Sequence, residues 1–430
     1  MKRIISTIAA ITILFACLCI TGSAAGEIFK ITSPYAAVNW STWNQYRANL
    51  HTHTTVSDGS VDFADMIEYH YKNNYDVLAI TDHGVVDRGW TKPNVVRSLQ
   101  FIQQITRDYA GLTGLTEERW QAISTGSDRE GRPMLRVPYG IEHNLIGGHV
   151  NSWFADWGNG RVGGTFNYAV AVREVNRAGG LAVINHPGGP SDYKVWQIQR
   201  LMERYPALIG LEINAFRDNG TRNSRQLWDQ LLENLAPTGR NVFGFAASDA
   251  HTLARVGCAW TWMLMPENTV GHLRESLETG AFFGVSRFMR NAAELAVISE
   301  KTGIELGNEW VADHDEPAPM VTKITAEQGV IALEAQDHAI TLWISNGEVV
   351  ATGDSIILGD SEGLGAYVRA EVWGPGGMLY TQPFLLEYAG MPGGNSVPWY
   401  FVDLVSWLPW NLIDSVFRGV IGFTSGIFLA

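Results

Sequence analysis

Cysteine is scarce in this chain, with three among 430 residues. Cys17 and Cys19 lie in an apolar run near the N-terminus, and Cys258 stands alone in the remainder. If the N-terminal run is removed, Cys258 has no second thiol with which to form an internal disulfide. Stability must then come from the hydrophobic core, with bound metals as a further contribution.

The N-terminal run has the parts of a secretory signal peptide. Basic residues 2–3 precede apolar residues 4–20, and small residues follow at 21–26. We expect residues 1–25 to be a signal peptide and the protein to be exported, whether periplasmic, extracellular or membrane-associated. The alternative is an uncleaved anchor, but the run is shorter than the ~20 residues that span a bilayer comfortably.

Positive charge is also in short supply. Lys and Arg number 31 against 44 Asp and Glu, which gives a formal net charge of -13. Proteins that hold the nucleic-acid backbone without regard to sequence do so with Lys and Arg. We therefore expect no extended nucleic-acid binding, although locally basic pockets are compatible with this balance.

Internal repeats and long low-complexity linkers are lacking, and the length suits a barrel-sized domain followed by an accessory one. Over residues 26–290, predicted strands of nearly continuous apolar sequence alternate with predicted helices. This pattern favours an α/β fold with a parallel sheet closed into a barrel. Over residues 291–390, short alternating runs separated by Asn-Gly and Gly-Pro-Gly-Gly are typical of a small antiparallel β-sandwich.

The first domain is organised around residues 49–59, Asn-Leu-His-Thr-His-Thr-Thr-Val-Ser-Asp-Gly. His51 and His53 end a predicted strand and point to the same face, because side chains in a strand alternate with period 2. Two such imidazoles can bind a zinc, manganese or iron ion. Gly59 lets the backbone turn so that the Asp58 carboxylate can reach the pair. Alone, this pattern also fits two ordinary polar residues at a strand end.

Ligand-type residues recur at the ends of later predicted strands. They are His83, Glu142, His186, Asp249 and His251. In parallel barrels, the chemistry lies where the strands end at their C-terminal side. The recurrence therefore predicts one cluster of metal ligands at that end of the barrel.

These motifs resemble those of the polymerase-and-histidinol-phosphatase (PHP) domain. In order, they are Asn-Leu-His-Thr-His with Ser-Asp-Gly, Ile-Thr-Asp-His, Gly-Ile-Glu with Gly-His-Val and Asn-His-Pro, and Ser-Asp-Ala-His. The resemblance covers roughly residues 46 to 290. It implies a distorted seven-stranded (β/α) barrel that binds metals and hydrolyses phosphoesters. By motif position, the implied metal ligands are His51, His53, Asp58, His83, Glu142, His149, His186, Asp249 and His251.

The resemblance also implies how these ligands are shared. One ion would be held by His51, His53, Glu142 and Asp249. A second, bridged through Glu142, would be held by Asp58, His83 and His251, and a third would involve His149 and His186. Nine ligands suit two to three divalent ions of manganese, zinc or iron. Many family members have His where this chain has Asp58, and a carboxylate there favours harder ions such as manganese or iron.

The implied function is that of an exported metal-dependent hydrolase, with phosphoesters favoured and a metal-bridging hydroxide as nucleophile. The expected partner is a small-molecule ester, phosphorylated in the favoured interpretation. One alternative is a carboxylester or carbamate hydrolase of the same fold. The predicted export and the appended sandwich resemble the CehA/McbA-like branch, which includes carbamate hydrolases. The other alternative is a non-catalytic metal-binding protein, which the complete ligand set disfavours.

No motif identifies the substrate-binding residues. Arg217 and Arg255 follow predicted barrel strands and are our candidates for a bidentate clamp on an anionic group. Each could equally be a surface arginine paired with a nearby acid.

Four further residues near the motifs have other expected roles. We expect Asp82 to orient an imidazole through its ring N–H, and Glu212 to line the site. His143 should point to the opposite face of its strand from Glu142. His70 lies on the polar side of its predicted helix and is expected to be a surface or structural histidine.

Residues 391–430 form an apolar, Trp-rich tail. Apolar pairs recur four residues apart from Leu412-Ile413 onwards, which predicts an amphipathic helix. Trp399, Trp407 and Trp410 favour a membrane interface. We expect the tail to make peripheral membrane contact or to dock on the protein rather than to span a bilayer.

Overall fold

The computed structural model describes residues 29–96, 109–143, 148–161, 168–188, 194–214, 219–288, 290, 292–305, 312, 315–397, 412–413 and 416. The predicted signal peptide, Arg217 and nearly all of the C-terminal tail lie outside these residues. Within them, no helix is long and apolar enough to cross a bilayer.

The N-terminal region alternates strands and helices, as the sequence predicts. Its strands are β1 Lys30–Thr32, β2 Asn44–Asn49, β3 Val77–Leu78, β4 Leu135–Arg136, β5 Ile141–His143, β6 Val150–Trp153, β7 Leu181–Ile184, β8 Leu208–Asn214, β9 Phe243–Ala246, β10 Ala259–Met265 and β11 Phe282–Ser286. Its helices are α1 Phe63–Lys72, α2 Glu117–Thr125, α3 Tyr168–Arg177, α4 Val195–Arg204, α5 Asn219–Leu235, α6 Val270–Thr279 and α7 Ala292–Thr302.

Helix α1 buries one apolar face. Phe63, Met66, Ile67 and Tyr71 are all buried. His70 is buried as well, so its expected place on the polar side is wrong. The extra burial follows from the Asn49 side chain, whose Nδ2 lies 2.8 Å from His70 Nε2 and gives the imidazole a polar partner inside the protein.

The strands of the N-terminal region are only partly parallel. In the five-stranded sheet, β7, β8 and β9 are parallel, whereas β6 is antiparallel to both β5 and β7. Residues 144–149 are too short a connection for the crossover that parallel neighbours need, so β5 and β6 pair as antiparallel neighbours. In the larger sheet, β2, β3 and β4 are parallel and β10 is antiparallel to both β2 and β11.

Two isolated parallel bridges join the two sheets. Thr52 bridges to Ala250, and His83 bridges to Glu142. No continuous strand ladder closes a barrel among the described residues, so the seven-stranded barrel stays a prediction. The bridges nevertheless bring the ends of β2 and β9 together, and place His83 beside the strand that carries Glu142.

The C-terminal region is rich in antiparallel sheet. Its strands are β12 Met320–Glu327, β13 Val330–Gln336, β14 Ile340–Ser345, β15 Glu348–Thr352, β16 Ser355–Ile357, β17 Tyr367–Gly374, β18 Gly377–Tyr380 and β19 Phe384–Glu387. Strands β12, β13 and β16 form a separate sheet. Strand β18 pairs with β11, and β19 pairs with β1, so the larger sheet runs without a break from the N-terminal region into this one.

A buried chain of alternating charges ties the C-terminal sheet to the N-terminal region. Arg369 on β17 donates to both carboxylate oxygens of Asp229 on α5, at 2.9 and 2.7 Å, and to Glu371 at 2.7 Å. Arg290 donates to Glu371 and Glu294. Each charge is buried beside an opposite charge, which offsets the cost of removing it from water.

Removing one residue of this buried charge chain should lower the stability of the protein. We expect Arg369→Met to lower the free energy of unfolding by about 3–5 kcal/mol, because it leaves the buried carboxylate of Asp229 without its cationic partner and leaves Glu371 with Arg290 alone. Urea unfolding would measure it. Lys323→Met is the control: Lys323 is exposed and pairs with Glu334 at 3.4 Å, so its loss should change stability by about 0.5 kcal/mol or less. Similar effects of the two substitutions would contradict this account.

Candidate metal centre

The segment after β2 is fixed by a buried amide. Asn49 Nδ2 donates to Thr52 Oγ1 at 2.8 Å and to Ser248 Oγ at 2.7 Å, so one side chain holds the segment of the His pair against the segment before Asp249. Asn49 and Ser248 are both 0% exposed. This contact sets the position of His51 and His53 relative to the end of β9.

The turn carrying Asp58 packs tightly under the His pair. A Cβ added to Gly59 would lie 2.7 Å from the carbonyl carbon of His53 and from the Thr54 nitrogen. Only glycine allows that approach. The turn brings Asp58 Oδ2 to 3.1 Å from His251 Nε2 and Asp58 Oδ1 to 3.4 Å from His53 Nδ1.

The structure brings all nine predicted ligands together. They form four overlapping groups in which the nitrogen or oxygen atoms offered lie within 4.8 Å of one another. The groups are His53, Asp58, His83 and His251; His51, His53 and Asp249; His51, Glu142 and His186; and His83, Glu142 and His149. This grouping differs from the one the resemblance implies, since His149 and His186 fall in separate groups and each shares Glu142.

Glu142 is the centre of the cluster. Its Oε2 lies 3.2 Å from His51 Nε2, 3.0 Å from His53 Nε2 and 3.2 Å from His83 Nδ1. Its Oε1 lies 2.8 Å from His149 Nδ1 and receives a hydrogen bond from Asn185 at 2.7 Å. The two carboxylate oxygens of Glu142 thus face different imidazoles, which is the placement expected of a carboxylate that bridges two metal ions.

Electrostatics inside the cluster are strong because the groups are buried. Burial lowers the pKa of His53, but the carboxylates of Asp249 and Glu142 outweigh it and raise that pKa to about 10. For Asp249, burial opposes ionisation, yet the charges of His51 and His53 hold the pKa of the carboxyl well below its usual range. The surroundings therefore favour an ionised carboxylate and positive charge beside it.

The donor atoms fit divalent cations. His51 Nε2 and His53 Nε2 face each other at 3.0 Å. Asp249 Oδ1 is buried and makes no hydrogen bond of regular geometry among the described residues, although His53 Nε2 lies 3.2 Å from it. Nitrogen and oxygen atoms that converge on one point in this way suit manganese, iron or zinc.

Two of the candidate ligands have strained backbones. His186 has φ 27° and Asp249 has φ 44°, in the left-handed region that residues with a side chain seldom adopt. Such strain persists only where surrounding contacts impose it, and it is concentrated at functional sites. Both residues follow parallel strands, β7 and β9, at the C-terminal side of the sheet.

Sequence reasoning missed the role of Glu212 and misassigned Asp82. Glu212 Oε1 lies 2.8 Å from His51 Nδ1, and both side chains are buried. Asp82 instead accepts hydrogen bonds from Thr54 and Ser57 and supports the turn, so its expected contact with an imidazole is wrong. Glu212 lacks a motif, and its position at the end of a predicted strand was the only available signal.

His143 lies outside the cluster, as expected. Its Nε2 is 2.7 Å from Ser152 Oγ, and burial lowers the pKa of the imidazole to about 3. Arg255 lies at the edge of the cluster. Its Nη1 donates to the Asp249 carbonyl at 3.2 Å, and its side chain is 40% exposed. Arg217, the other proposed clamp residue, lies outside the described residues.

Part of the chain matches a known family. Residues 238–282 match the model of the PHP-associated family. The matched part contains β9, Asp249, His251, Arg255 and α6. It supports the resemblance to PHP proteins over this short part of the chain. No curated protein matches the sequence significantly.

Solved structures with some likeness include three bacterial and archaeal proteins. A two-domain protein from Bacteroides vulgatus containing a predicted PHP-like metal-dependent phosphoesterase is 14% identical over 86% of this chain and 93% of its own, with a TM-score of 0.42. PsfC from Pseudomonas syringae is 17% identical over 60% and 97%, with a TM-score of 0.36. The lesion-specific endonuclease EndoQ from Pyrococcus furiosus is 11% identical over 55% and 56%, with a TM-score of 0.33. TM-scores this low do not establish a shared fold.

The tight turn at Gly59 can be tested directly. We expect Gly59→Ala to destabilise the protein by about 1–3 kcal/mol, because the new methyl group would collide with the backbone of His53 and displace Asp58. Gly271→Ala is the control, since its Cβ meets no atom within 4 Å and alanine favours the helix. Denaturant unfolding of both variants would measure the difference. Equal stability of the two would show that the turn tolerates a side chain.

Proposed function

We propose that this protein is a metal-dependent hydrolase of phosphoesters that holds two to three divalent ions, of manganese, zinc or iron, in the nine-residue cluster. The observation that carries the proposal is the convergence of five imidazoles of the cluster on one carboxylate, that of the buried Glu142. A purely structural site would need fewer ligands, and structural zinc sites are usually closed by four. Overlapping groups that share Glu142 instead suit ions held close together.

Divalent ions in such a site supply a nucleophile derived from water at neutral pH, and they neutralise charge on the substrate's oxygens. The protein's own part is to fix the ligands and to shape an opening. His149, His186, His251 and Asp58 have side chains 29%, 24%, 26% and 23% exposed, whereas His51 and His53 are fully buried. The half-exposed ligands therefore mark the side from which a substrate approaches.

Arg255 is the described residue best placed to recognise phosphate. Its guanidinium lies beside Asp249, with 3.8 Å between Nη1 and Oδ2, and reaches solvent at the edge of the cluster. A guanidinium can donate two parallel hydrogen bonds to a phosphate and adds fixed positive charge for the transition state. A neutral ester has no comparable need for that charge.

Membership of the PHP family, the seven-stranded barrel and the exported CehA/McbA-like branch are parts of the same proposal. The family rests on the ordered motifs and the match at 238–282. The barrel would be completed through the bridges from Thr52 to Ala250 and from His83 to Glu142. Export rests on residues 1–25 alone. The preferred substrate is a small phosphorylated molecule, and the C-terminal tail is proposed to contact a membrane surface or to dock on the protein.

Metal content tests the centre itself. We expect gently purified protein to contain about two to three transition-metal ions per chain by elemental analysis. Replacing His51 and His53 together by alanine should remove at least one ion and abolish turnover, because each ion needs several convergent ligands.

His272→Ala is the matched control and should leave metal content unchanged, since this histidine lies in the first turn of α6, with its Nδ1 3.0 Å from Thr269 Oγ1, and belongs to none of the ligand groups. A parent protein without bound metal whose activity survives a strong chelator would rule the metal centre out.

A panel of matched esters separates phosphate from carbonyl chemistry. Phosphate mono- and diesters, carboxyl esters and carbamates of one nitrophenol should rank with phosphoesters first. Arg255→Ala should slow phosphoester hydrolysis by a factor on the order of 10² through loss of fixed positive charge. Arg88→Ala, which removes an exposed pair with Asp156, should leave the rate unchanged.

Faster cleavage of the neutral esters, with no effect of Arg255→Ala on phosphates, would transfer the assignment to carboxylester or carbamate hydrolysis. Cleavage of duplex or single-stranded DNA in preference to all the small esters would overturn the small-molecule substrate.

A further inference from the structure

Glu212 contacts two candidate ligands at once without being a member of any ligand group. It lies on β8 and is 2% exposed. Its Oε1 lies 2.8 Å from His51 Nδ1, and its Oε2 accepts a hydrogen bond from the backbone nitrogen of His186 at 3.0 Å. Both oxygens of one buried carboxylate are therefore used, each on a different histidine.

The contact with His51 determines which ring nitrogen can bind a cation. A carboxylate accepts hydrogen bonds, so the Nδ1 atom of His51 carries the proton that it donates to Glu212. The opposite nitrogen, Nε2, is then left with its lone pair toward Glu142 and Asp249, which lie 3.2 and 3.3 Å away. Fixing the tautomer in this way also fixes the rotation of the ring.

The contact with His186 acts on the main chain. His186 has φ 27°, a strained conformation that persists only where surrounding contacts support it. The hydrogen bond from its N–H to Glu212 is such a support. The His186 imidazole lies nearly parallel to that of His51, with ring centroids 5.8 Å apart and an angle of 19° between the planes.

We propose that Glu212 is a positioning residue that sets the ligand group made of His51, Glu142 and His186. The proposal rests on the metal-dependent function proposed above. Glutamate fits the position because both nitrogens that face it are donors. A glutamine offers one oxygen and one NH₂ group, so it can satisfy one of the two donors and must oppose the other.

The test is the affinity for Mn²⁺, measured by titration of metal-depleted full-length protein, in the parent and in Glu212→Gln. We expect the substitution to weaken binding at one site by about 10- to 100-fold, the usual effect of losing a partner that orients a ligand. Asp76→Asn is the matched control. Asp76 is also a buried carboxylate, but it pairs with Arg129 and Arg132 at the start of β3. Its loss should lower thermal stability and leave Mn²⁺ affinity unchanged.

A second arm shows whether Glu212 acts through His51. In the His51→Ala background, Glu212→Gln should cost a clearly smaller factor than in the parent, because the ring that it orients is gone. An equal cost in both backgrounds would overturn the proposal. So would Mn²⁺ affinity in Glu212→Gln equal to that of the parent, and in that case the metal-dependent function would stand. A parent that binds no Mn²⁺ or other divalent metal would overturn both.

Discussion

The burial of Glu142 is the constraint on which the rest of the site depends. Its side chain is 1% exposed, and an ionised carboxylate removed from water is costly unless opposite charge or hydrogen bonds surround it. Here the surroundings are imidazoles on both oxygens and an amide from Asn185. Burial raises the pKa of Glu142, but the histidines around it, with His83 and His51 first, reverse the shift and hold that pKa well below the usual range. The surroundings thus favour the ionised form of Glu142, which is the form that binds a divalent ion.

The framework explains how residues distant in sequence reach this carboxylate. The N-terminal strands deliver ligands from their C-terminal ends, and the bridges at Thr52 and His83 fix the two sheets there. Helix α5 adds a link to the C-terminal region. Ser224 Oγ accepts a hydrogen bond from the Gly188 nitrogen, two residues after His186. Arg225, the next residue of the helix, and Asp229, just over one turn further on, belong to the buried charge chain with Glu294 and Arg369. The C-terminal sheet is therefore linked through α5 to the segment that carries His186. An accessory domain that was only appended to the first would not need such a link to the site.

The sequence was informative where the candidate ligands belong to short motifs. His51, His53 and Asp58 could be identified together because their spacing and the following glycine are unusual, and the structure places them as that spacing predicts. It was uninformative where a role depends on a partner distant in the chain. Glu212 precedes no motif, and any glutamate near a strand end would look the same. The antiparallel pairing of β6 depends on the short connection from β5, which the general alternation of strands and helices does not reveal. The burial of His70 depends on the amide of Asn49, which helical periodicity does not reveal.

Charge balance links the number of ions to the kind of substrate. Among the residues that the structure describes, four carboxylates belong to the cluster or contact it: Asp58, Glu142, Glu212 and Asp249. Two divalent ions would leave their combined charge neutral, whereas a third would leave two positive charges in excess, before Arg255 is considered. An excess of positive charge in a partly buried site strengthens binding of a phosphate dianion far more than that of a neutral ester, because electrostatic interactions are larger where water is excluded. In the proposed function, occupancy of the third metal position and preference for phosphate substrates should therefore rise together. Hydrolysis of a neutral ester would need only the two divalent ions whose charge the four carboxylates balance.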